Sequence, residues 1–307
     1  MATTTSITST YAGEFAGKYI SAALLSANTI YKGGIEVMPN IKYKSTMKKV
    51  ATDANVIKNA SCDFDATATV TLTERLLQPE EFQVNLQFCK QDFISDWEAA
   101  QMGYSAFDKM PPLFSDFIIG HVAGLVAEKT EQNIWEGVNA NAGEFDGLAT
   151  LALADADVND VTGQAVDAAN VVGELGKIVD AIPSSLYGKE DVHIYISQNI
   201  ARAYVRALGG FAATNSGVNA QSHMWYGDGA LSFDGVKLFV ANGLNDNTAM
   251  AAQKSNLFFG CGLLNDAQEV KVLDMSDLDG SQNCRVIMRY TSAVNYGIGS
   301  DIVLYHV

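Results

Sequence analysis

By type and spacing, three sets of residues in this 307-residue chain have the potential for chemistry: a run of alternating acids, four histidines and four cysteines. Asp155, Asp157 and Asn159 occupy positions 1, 3 and 5 of a calcium loop, where oxygen ligands converge on a hard cation. Position 6, which needs glycine for a sharp turn, is Asp160, and position 12, which supplies the bidentate carboxylate, is Val166. The run therefore reads as a solvated acidic loop. Gly260-Cys261-Gly262 and Gly227-Asp228-Gly229 begin like a dinucleotide fingerprint. Both lack the third glycine and the strand-to-helix setting that aims backbone N–H groups at a pyrophosphate, so they read as turns.

The remaining reactive types are equally unassembled. His121 lies beside an apolar helical stripe with no acid or thiol four residues away to orient it, which makes it a packed or interfacial histidine. His193 alternates with the buried positions of a strand, and His223 neighbours Trp225 in a loop-like stretch. Cys62, Cys89, Cys261 and Cys284 form no CxxC pair and no tight cluster, so neither a disulfide framework nor a zinc site is expected, and reduced thiols are the default. No phosphate-binding loop, zinc-protease or nucleophile-elbow motif occurs. The sequence assigns no catalytic, cofactor-binding or metal residue, and Trp97, Trp135 and Trp225 read as core or contact anchors.

Charge is more informative. Twenty basic residues against 35 acidic ones argue against a nucleic-acid binder, because phosphate affinity is built from clustered Lys and Arg. The distribution is uneven. Residues 1–60 hold seven lysines and three acids, a net +4, which leaves −19 for the rest of a chain whose total is −15. Lys42, Lys44, Lys48 and Lys49 concentrate that charge and are the candidate inter-subunit contacts, although charge alone fits a solvated basic strand pair with no partner equally well. With 48% hydrophobic residues the chain can bury a sizeable core, and no apolar run approaches the roughly 18 residues needed to span a bilayer. The N-terminus lacks a charged segment followed by an apolar one, so a soluble protein made in a cytoplasm is expected.

The elements that would position these groups follow from periodicity. The first dozen residues are Thr- and Ser-rich and read as an arm that orders against a neighbour. A short helix is expected at 16–25. From Ile35 to Thr73 the segments IEVMP, IKYKSTMKK and TATVTLT are rich in β-branched residues and show no helical stripe, which predicts a projecting two-stranded loop. Phe82, Val84, Leu86 and Phe88 alternate with polar residues as a strand with one buried face. A helix is expected at 92–102. After Pro111-Pro112, apolar residues at 114, 117, 118, 122, 125 and 126 predict a helix of about 25 residues that Gly137 ends. The stretch 151–270 reads as an α/β section. Its parts are a helix with the stripe Val171, Leu175, Ile178 and Val179, a strand at Val192, Ile194 and Ile196, and a helix N-capped by Ser197. A loop at 211–229 and a hairpin turn at Asp234-Gly235 complete it. The tail is β again, with Cys284, Val286, Met288 and Tyr290 alternating with their neighbours and Ile302, Leu304 and His306 alternating with Val303 and Tyr305.

In this order the elements resemble the major capsid proteins of tailed bacteriophages, the HK97-like fold. LLQPEEFQVNLQFCKQDFISDWEA resembles the strand and helix after the family's extended loop, and PPLFSDFIIGHVAGLVAEKTEQNIWEG its spine helix. Phe145-Asp146-Gly147-Leu148 resembles the short F-D-G-L that leads from spine helix to axial domain. VVGELGKIVDAIPSSLYGKEDVHIYISQNIARAYVRALGG resembles the axial domain's first helix, strand and second helix, and VIMRYTSAVNYGIGSDIVLYHV the return to the peripheral sheet.

The resemblance implies an α+β chain in four parts: an N-terminal arm (1–30), an extended loop (31–75), a peripheral domain with the spine helix (76–150 and 271–307) and an axial domain (151–270). It implies a non-enzymatic virion protein, synthesised in the bacterial host's cytoplasm, that self-assembles into pentamers and hexamers of an icosahedral head around double-stranded DNA without specific DNA recognition. No cofactor and no membrane are implied; the expected partners are further copies, a separate scaffolding protein and a portal protein. Some relatives cross-link an extended-loop lysine to an asparagine of a neighbour, but no acceptor pattern is visible here, so non-covalent locking is expected. An encapsulin-like nanocompartment shares the fold, and an enzyme or ligand binder with a pocket in 151–270 is the alternative of different class.

Overall fold

The computed structural model describes residues 28–52, 57, 59, 69–89, 112–208, 231–262, 271–276 and 280–307, with the side chains of 51, 52 and 112–119 outside the description. The helices expected at 16–25 and 92–102, the loop at 211–229 and residues Cys62, Trp97, His223 and Trp225 lie outside the described residues. The chain divides into two compact units, 1–26, 81–129 and 263–291 in one and 27–80, 130–262 and 292–307 in the other.

The first unit contains β4 (Glu80–Cys89, from residue 81), β11 (Lys271–Asp274) and the start of β12 (Asn283–Tyr296, up to residue 291). β11 runs antiparallel to β12 with Val272 opposite Val286, and β4 also pairs β12. The alternation predicted for β12 is present: Cys284, Val286 and Met288 are buried while Arg285 and Arg289 face solvent. In β4, Phe82, Val84 and Phe88 are half-buried as expected, but Leu86 stays 46% exposed on a strand that pairs only β12 among the described residues.

The second unit is built on a mixed six-stranded sheet. Its strands are β5 (Asn159–Thr162), β6 (Val192–Ile196), β7 (Ser232–Phe233), β8 (Val236–Val240), β9 (Ala249–Gln253) and β13 (Val303–His306), in the order β5-β13-β9-β6-β8-β7. Helices α4 (Val171–Asp180) and α5 (Gln198–Ala207) cover one face. The stripe Val171, Leu175, Ile178 and Val179 packs with Ile200 and Tyr204 against Ile194, Ile196, Val303 and Tyr305. Burying each such aliphatic side chain stabilises the fold by about 1.5–3 kcal/mol. Tyr195 points to the other face, where its ring lies 5.0 Å from that of Trp135 and 5.4 Å from that of Phe239. Because both faces are covered, β13 departs from the predicted alternation: Ile302, Val303, Leu304 and Tyr305 are all buried.

Two predicted turns have their expected chemistry. Asp234 and Gly235 both take positive φ, 49° and 81°, between antiparallel β7 and β8, the geometry of a type I′ hairpin. Ser197 starts α5 from an extended backbone, but its hydroxyl donates to the Asn199 side chain at 2.6 Å and accepts from no helix N–H, so it marks the helix start without a side-chain cap.

The long helix α2 (Pro112–Glu136) has the 25 residues expected, and its proline occupies the first turn, where the missing N–H costs nothing. Its end explains the F-D-G-L segment. Gly137 and Gly147 bring two stretches of backbone together, with the Gly147 N–H bonded to the Gly137 carbonyl at 2.9 Å. A Cβ on Gly147 would stand 2.5 Å from the Trp135 carbonyl group, so only glycine fits. Asp146 accepts from the Asn139 N–H at 2.9 Å, while Phe145 and Leu148 are buried on either side. Leu148 then opens the short helix α3 (Leu148–Ala154).

Trp135 also anchors the start of the described chain. α1 (Asn28–Tyr31) places Thr29 so that its hydroxyl accepts from Trp135 Nε1 at 2.9 Å and donates to Glu131 Oε1, while the Thr29 N–H donates to Glu131 Oε2 at 3.1 Å. Glu131 is almost completely buried, and burial pushes its carboxyl above the ordinary range in spite of these donors.

Candidate assembly arm

The extended segment predicted for 35–73 is a ribbon of two antiparallel strands, β2 (Ser45–Thr52) and β3 (Val70–Leu77), running from Ser45 opposite Leu77 to Thr52 opposite Val70. Among the described residues it forms a sheet of its own, joined to neither larger one. A two-stranded ribbon is marginal in water, so the means by which its root is held matter.

Both strands are tied to the second unit at their base. β1 (Glu36–Met38) runs parallel to β10 (Leu257–Cys261), and the pairing continues as the Asn40 and Ile41 N–H groups donate to the Gly262 and Cys261 carbonyls at 2.8 and 3.1 Å. Asn40 takes a φ of 64° at the bend that follows Pro39. On the returning strand Leu77 is fully buried against Gly260, and Asn295 Nδ2 donates to the Leu76 carbonyl at 2.8 Å.

Arg75 completes the root. It pairs with Asp155, and its guanidinium lies 4.2 Å from the centre of the Tyr296 ring, whose hydroxyl donates to the same Asp155 oxygen at 2.8 Å. Burial alone would raise the Asp155 carboxyl. The Asp157 N–H, Tyr296 and Arg75 outweigh it and hold Asp155 below the usual carboxylate range. Burial, reinforced by the neighbouring carboxylate, pushes Tyr296 up to about 12.

The four lysines do not form one cluster. Lys42 and Lys44 are exposed in the segment leading into β2, with Lys44 Nζ 5.8 Å from the Tyr43 ring centre. Within β2 the alternation separates the other two. Lys48 is exposed opposite Glu74, and Lys49 is half-buried on the reverse face opposite Thr73.

The residues that resembled a calcium loop are also dispersed. Asp155 is engaged by Arg75 and Tyr296, Asn159 donates to the Ser300 carbonyl at 3.1 Å from within β5, and Asp160 approaches His306 at 3.0 Å. Asp155 is thus part of an internal ion pair, where the sequence predicts a solvated loop. Among the described residues no group of three or more His, Cys, Asp or Glu side chains is arranged to hold a metal ion. His193 Nδ1 lies 3.0 Å from the Asp191 carbonyl, and burial pushes the Cys261 thiol up, away from the reactive thiolate. A cavity of about 440 Å³ is lined by Glu81, Phe82, Gln83, Arg289, Tyr290 and Thr291, in the first unit and outside 151–270. No helix among the described residues is long and apolar enough to cross a membrane.

The Arg75–Asp155–Tyr296 root was not foreseeable from motifs. Asp155 stands 80 residues from Arg75 and 141 from Tyr296, and none of the three sits in a local pattern that marks the contact.

No family model matches the chain and no curated relative matches it. Solved structures do. The capsid of the native GTA particle superposes with a TM-score of 0.62 at 13% identity, covering 94% of this chain and 93% of that one. The capsid of cyanophage P-SCSP1u gives a TM-score of 0.56 at 11% identity over 99% and 95%. A chain of Mycobacterium phage Adephagia gives 0.58 at 14% over 93% and 92%. Likeness over nearly the whole of both chains at so low an identity is a likeness of fold, and this chain shares its fold with these phage and GTA capsid structures.

Proposed function

We propose that this protein is a major capsid protein, with the HK97-like division into arm (1–30), extended loop (31–75), peripheral domain (76–150 and 271–307) and axial domain (151–270). Copies assemble into pentamers and hexamers of an icosahedral head that encloses double-stranded DNA, with a scaffolding protein and a portal as partners. The observation that carries this reading is the match to capsid chains across more than nine-tenths of both lengths. The ribbon supports it, because among the described residues its two strands join no larger sheet and a two-stranded ribbon is marginal by itself. The net charge of −15 suits a shell around DNA, since an acidic wall does not trap the packaged phosphates. Lys42, Lys44, Lys48 and Lys49 are the proposed contacts to an acidic neighbour.

Expression alone and with a candidate scaffold, followed by negative-stain electron microscopy and light scattering, tests the proposal. Closed particles or rings of five and six are expected. A stable monomer under both conditions overturns it. Particles that enclose protein cargo and exclude DNA would instead establish the nanocompartment reading.

A further inference from the structure

The sequence contains a single Asn-Gly pair, Asn242-Gly243, and the bond between them is chemically labile. Glycine has no Cβ to hinder its own nitrogen. The Gly243 nitrogen can give up its proton and attack Cγ of the Asn242 side chain. A C–N bond to the main chain forms as the bond to the side-chain nitrogen breaks, and that nitrogen leaves with the proton as ammonia. Water then opens the cyclic imide at one carbonyl or the other. The products are aspartate and isoaspartate, and in isoaspartate the main chain is longer by one carbon.

The fold holds both reacting groups. Asn242 and Gly243 occupy a turn in which the Leu244 N–H donates to the Ala241 carbonyl at 3.4 Å. Gln198 Nε2 donates to the Asn242 side-chain oxygen at 3.1 Å, and the Asn242 N–H donates to Asn28 Oδ1 at 3.3 Å. Asn28 Nδ2 in turn donates to the Val240 carbonyl at 2.5 Å. The nucleophile is engaged as well, because the Gly243 N–H serves the buried Glu131 carboxylate, which also accepts from the Thr29 N–H and hydroxyl. Attack requires the Asn242 side chain to leave Gln198 and the Gly243 nitrogen to leave Glu131. We propose that Asn242 is a latent self-modification site, kept unreacted by this clasp, and that its conversion to isoaspartate opens the clasp permanently and frees α1. The steric reason lies at Gly243, where an added Cβ would stand 2.0 Å from the Glu131 carbonyl oxygen. A turn that cannot admit a methyl group there cannot admit a longer main chain, so Gly243 must withdraw from Glu131. The conversion also places a carboxylate on the residue that precedes this contact. In α1 the buried residues are Asn28 and Thr29, the two that the clasp holds, so its opening removes the anchorage of the helix. Local opening of α1 is the event that would expose the pair to reaction.

The test follows Asn242 in the full chain by peptide mass spectrometry during incubation in heavy-oxygen water, folded in neutral buffer and in parallel unfolded in guanidinium chloride. An isoaspartyl methyltransferase reports the isoaspartate. Asn28→Ala and Gln198→Ala each remove one hold on the turn, and thermal unfolding establishes that each variant is folded at the incubation temperature; Gln198→Ala keeps the test available if Asn28→Ala does not fold. Expected is conversion many-fold slower in the folded parent than in the unfolded chain, and several-fold faster in the folded variants than in the folded parent. Converted Gln198→Ala molecules carry one more negative charge and separate from unconverted ones by ion exchange. They should exchange the Thr29 amide hydrogen several-fold faster than the unconverted molecules of the same sample. Equal rates in the folded and unfolded parent, or folded variants that convert at the parental rate, overturn the restraint. Unchanged exchange at Thr29 after conversion overturns the release of α1.

Discussion

Arg75 and Asp155, 80 residues apart in sequence, pair at the root of the β2–β3 ribbon, with the Tyr296 ring stacked 4.2 Å from the guanidinium. The contact joins the returning strand of the arm to the segment after α3 and to the end of β12. It adds a charge-assisted hold on the root to the β1–β10 pairing and the burial of Leu77 against Gly260.

The network has a defined pH dependence. The folded carboxyl of Asp155 lies below its ordinary value, so its stabilisation is fully present above the ordinary carboxylate range and is lost as pH falls through the lowered folded value. Asp155→Asn is expected to cost about 1–3 kcal/mol at pH 7, as typical for hydrogen bonds to a charged group. Urea unfolding as a function of pH checks this. The gap between variant and parent should close at the acid end, and a gap that is independent of pH would refute the role of the ionised form.

Glu131 behaves with the opposite sign. Its carboxyl is raised by burial, so the folded state binds the proton more tightly than the unfolded chain, and the contribution of this group falls as pH rises through the titration. Thr29→Val keeps the side-chain shape and removes the hydroxyl that serves both Glu131 and Trp135. The expected loss is about 2–4 kcal/mol, since two buried groups lose a partner, and it should be larger at pH 8 than at pH 4. Chemical denaturation at the two pH values measures it.

Glycine substitutions should split by environment. A Cβ at Gly243 would collide with the backbone of Glu131, which cannot move without displacing α2, so Gly243→Ala is expected to destabilise by about 1–3 kcal/mol. A methyl group placed on Gly176 in α4 would meet no atom within 4 Å, and Gly176→Ala should stabilise by about 0.5–1 kcal/mol through helix propensity. Thermal unfolding of the two variants gives shifts of opposite sign if these close approaches are as described.

Reversal of Lys42, Lys44, Lys48 and Lys49 to glutamate should lower particle yield while leaving the melting temperature of the unassembled chain near the parent value. Lys42, Lys44 and Lys48 are exposed and Lys49 is half-buried, so the fold does not depend on them. Unchanged particle yield at several salt concentrations would remove the lysines from the contact, because exposed charge interactions are screened by salt.

Local signals in the sequence marked most of the elements. Prolines at the start and Gly137 at the end bounded α2, the 3.6-residue stripe defined α4, Asp234-Gly235 defined its hairpin, and β-branched alternation identified the ribbon and β12. Each depends on neighbours within a few residues, which is why each was legible. The alternation predicted across 302–306 was absent because burial on the second face is supplied by segments far away in sequence, and Leu86 was more exposed than its strand pattern implied for the converse reason.

Residue order alone was enough to specify the long helix α2, the stripe of α4, the strand β6, the start of α5, the ribbon and β12, the basic character of residues 1–60 and the turn at Asp234-Gly235, but not α1, α3, β5, β9 or β10. It took the folded arrangement to establish that Asp155 answers Arg75 and not a cation, that Lys48 and Lys49 face opposite ways, and that the stripe of Val50 and Leu72 is left bare while Leu77 is buried. Propensity and periodicity act over a few residues. Ion pairs, register between strands and the covering of a face are set by residues that approach only after the chain has folded.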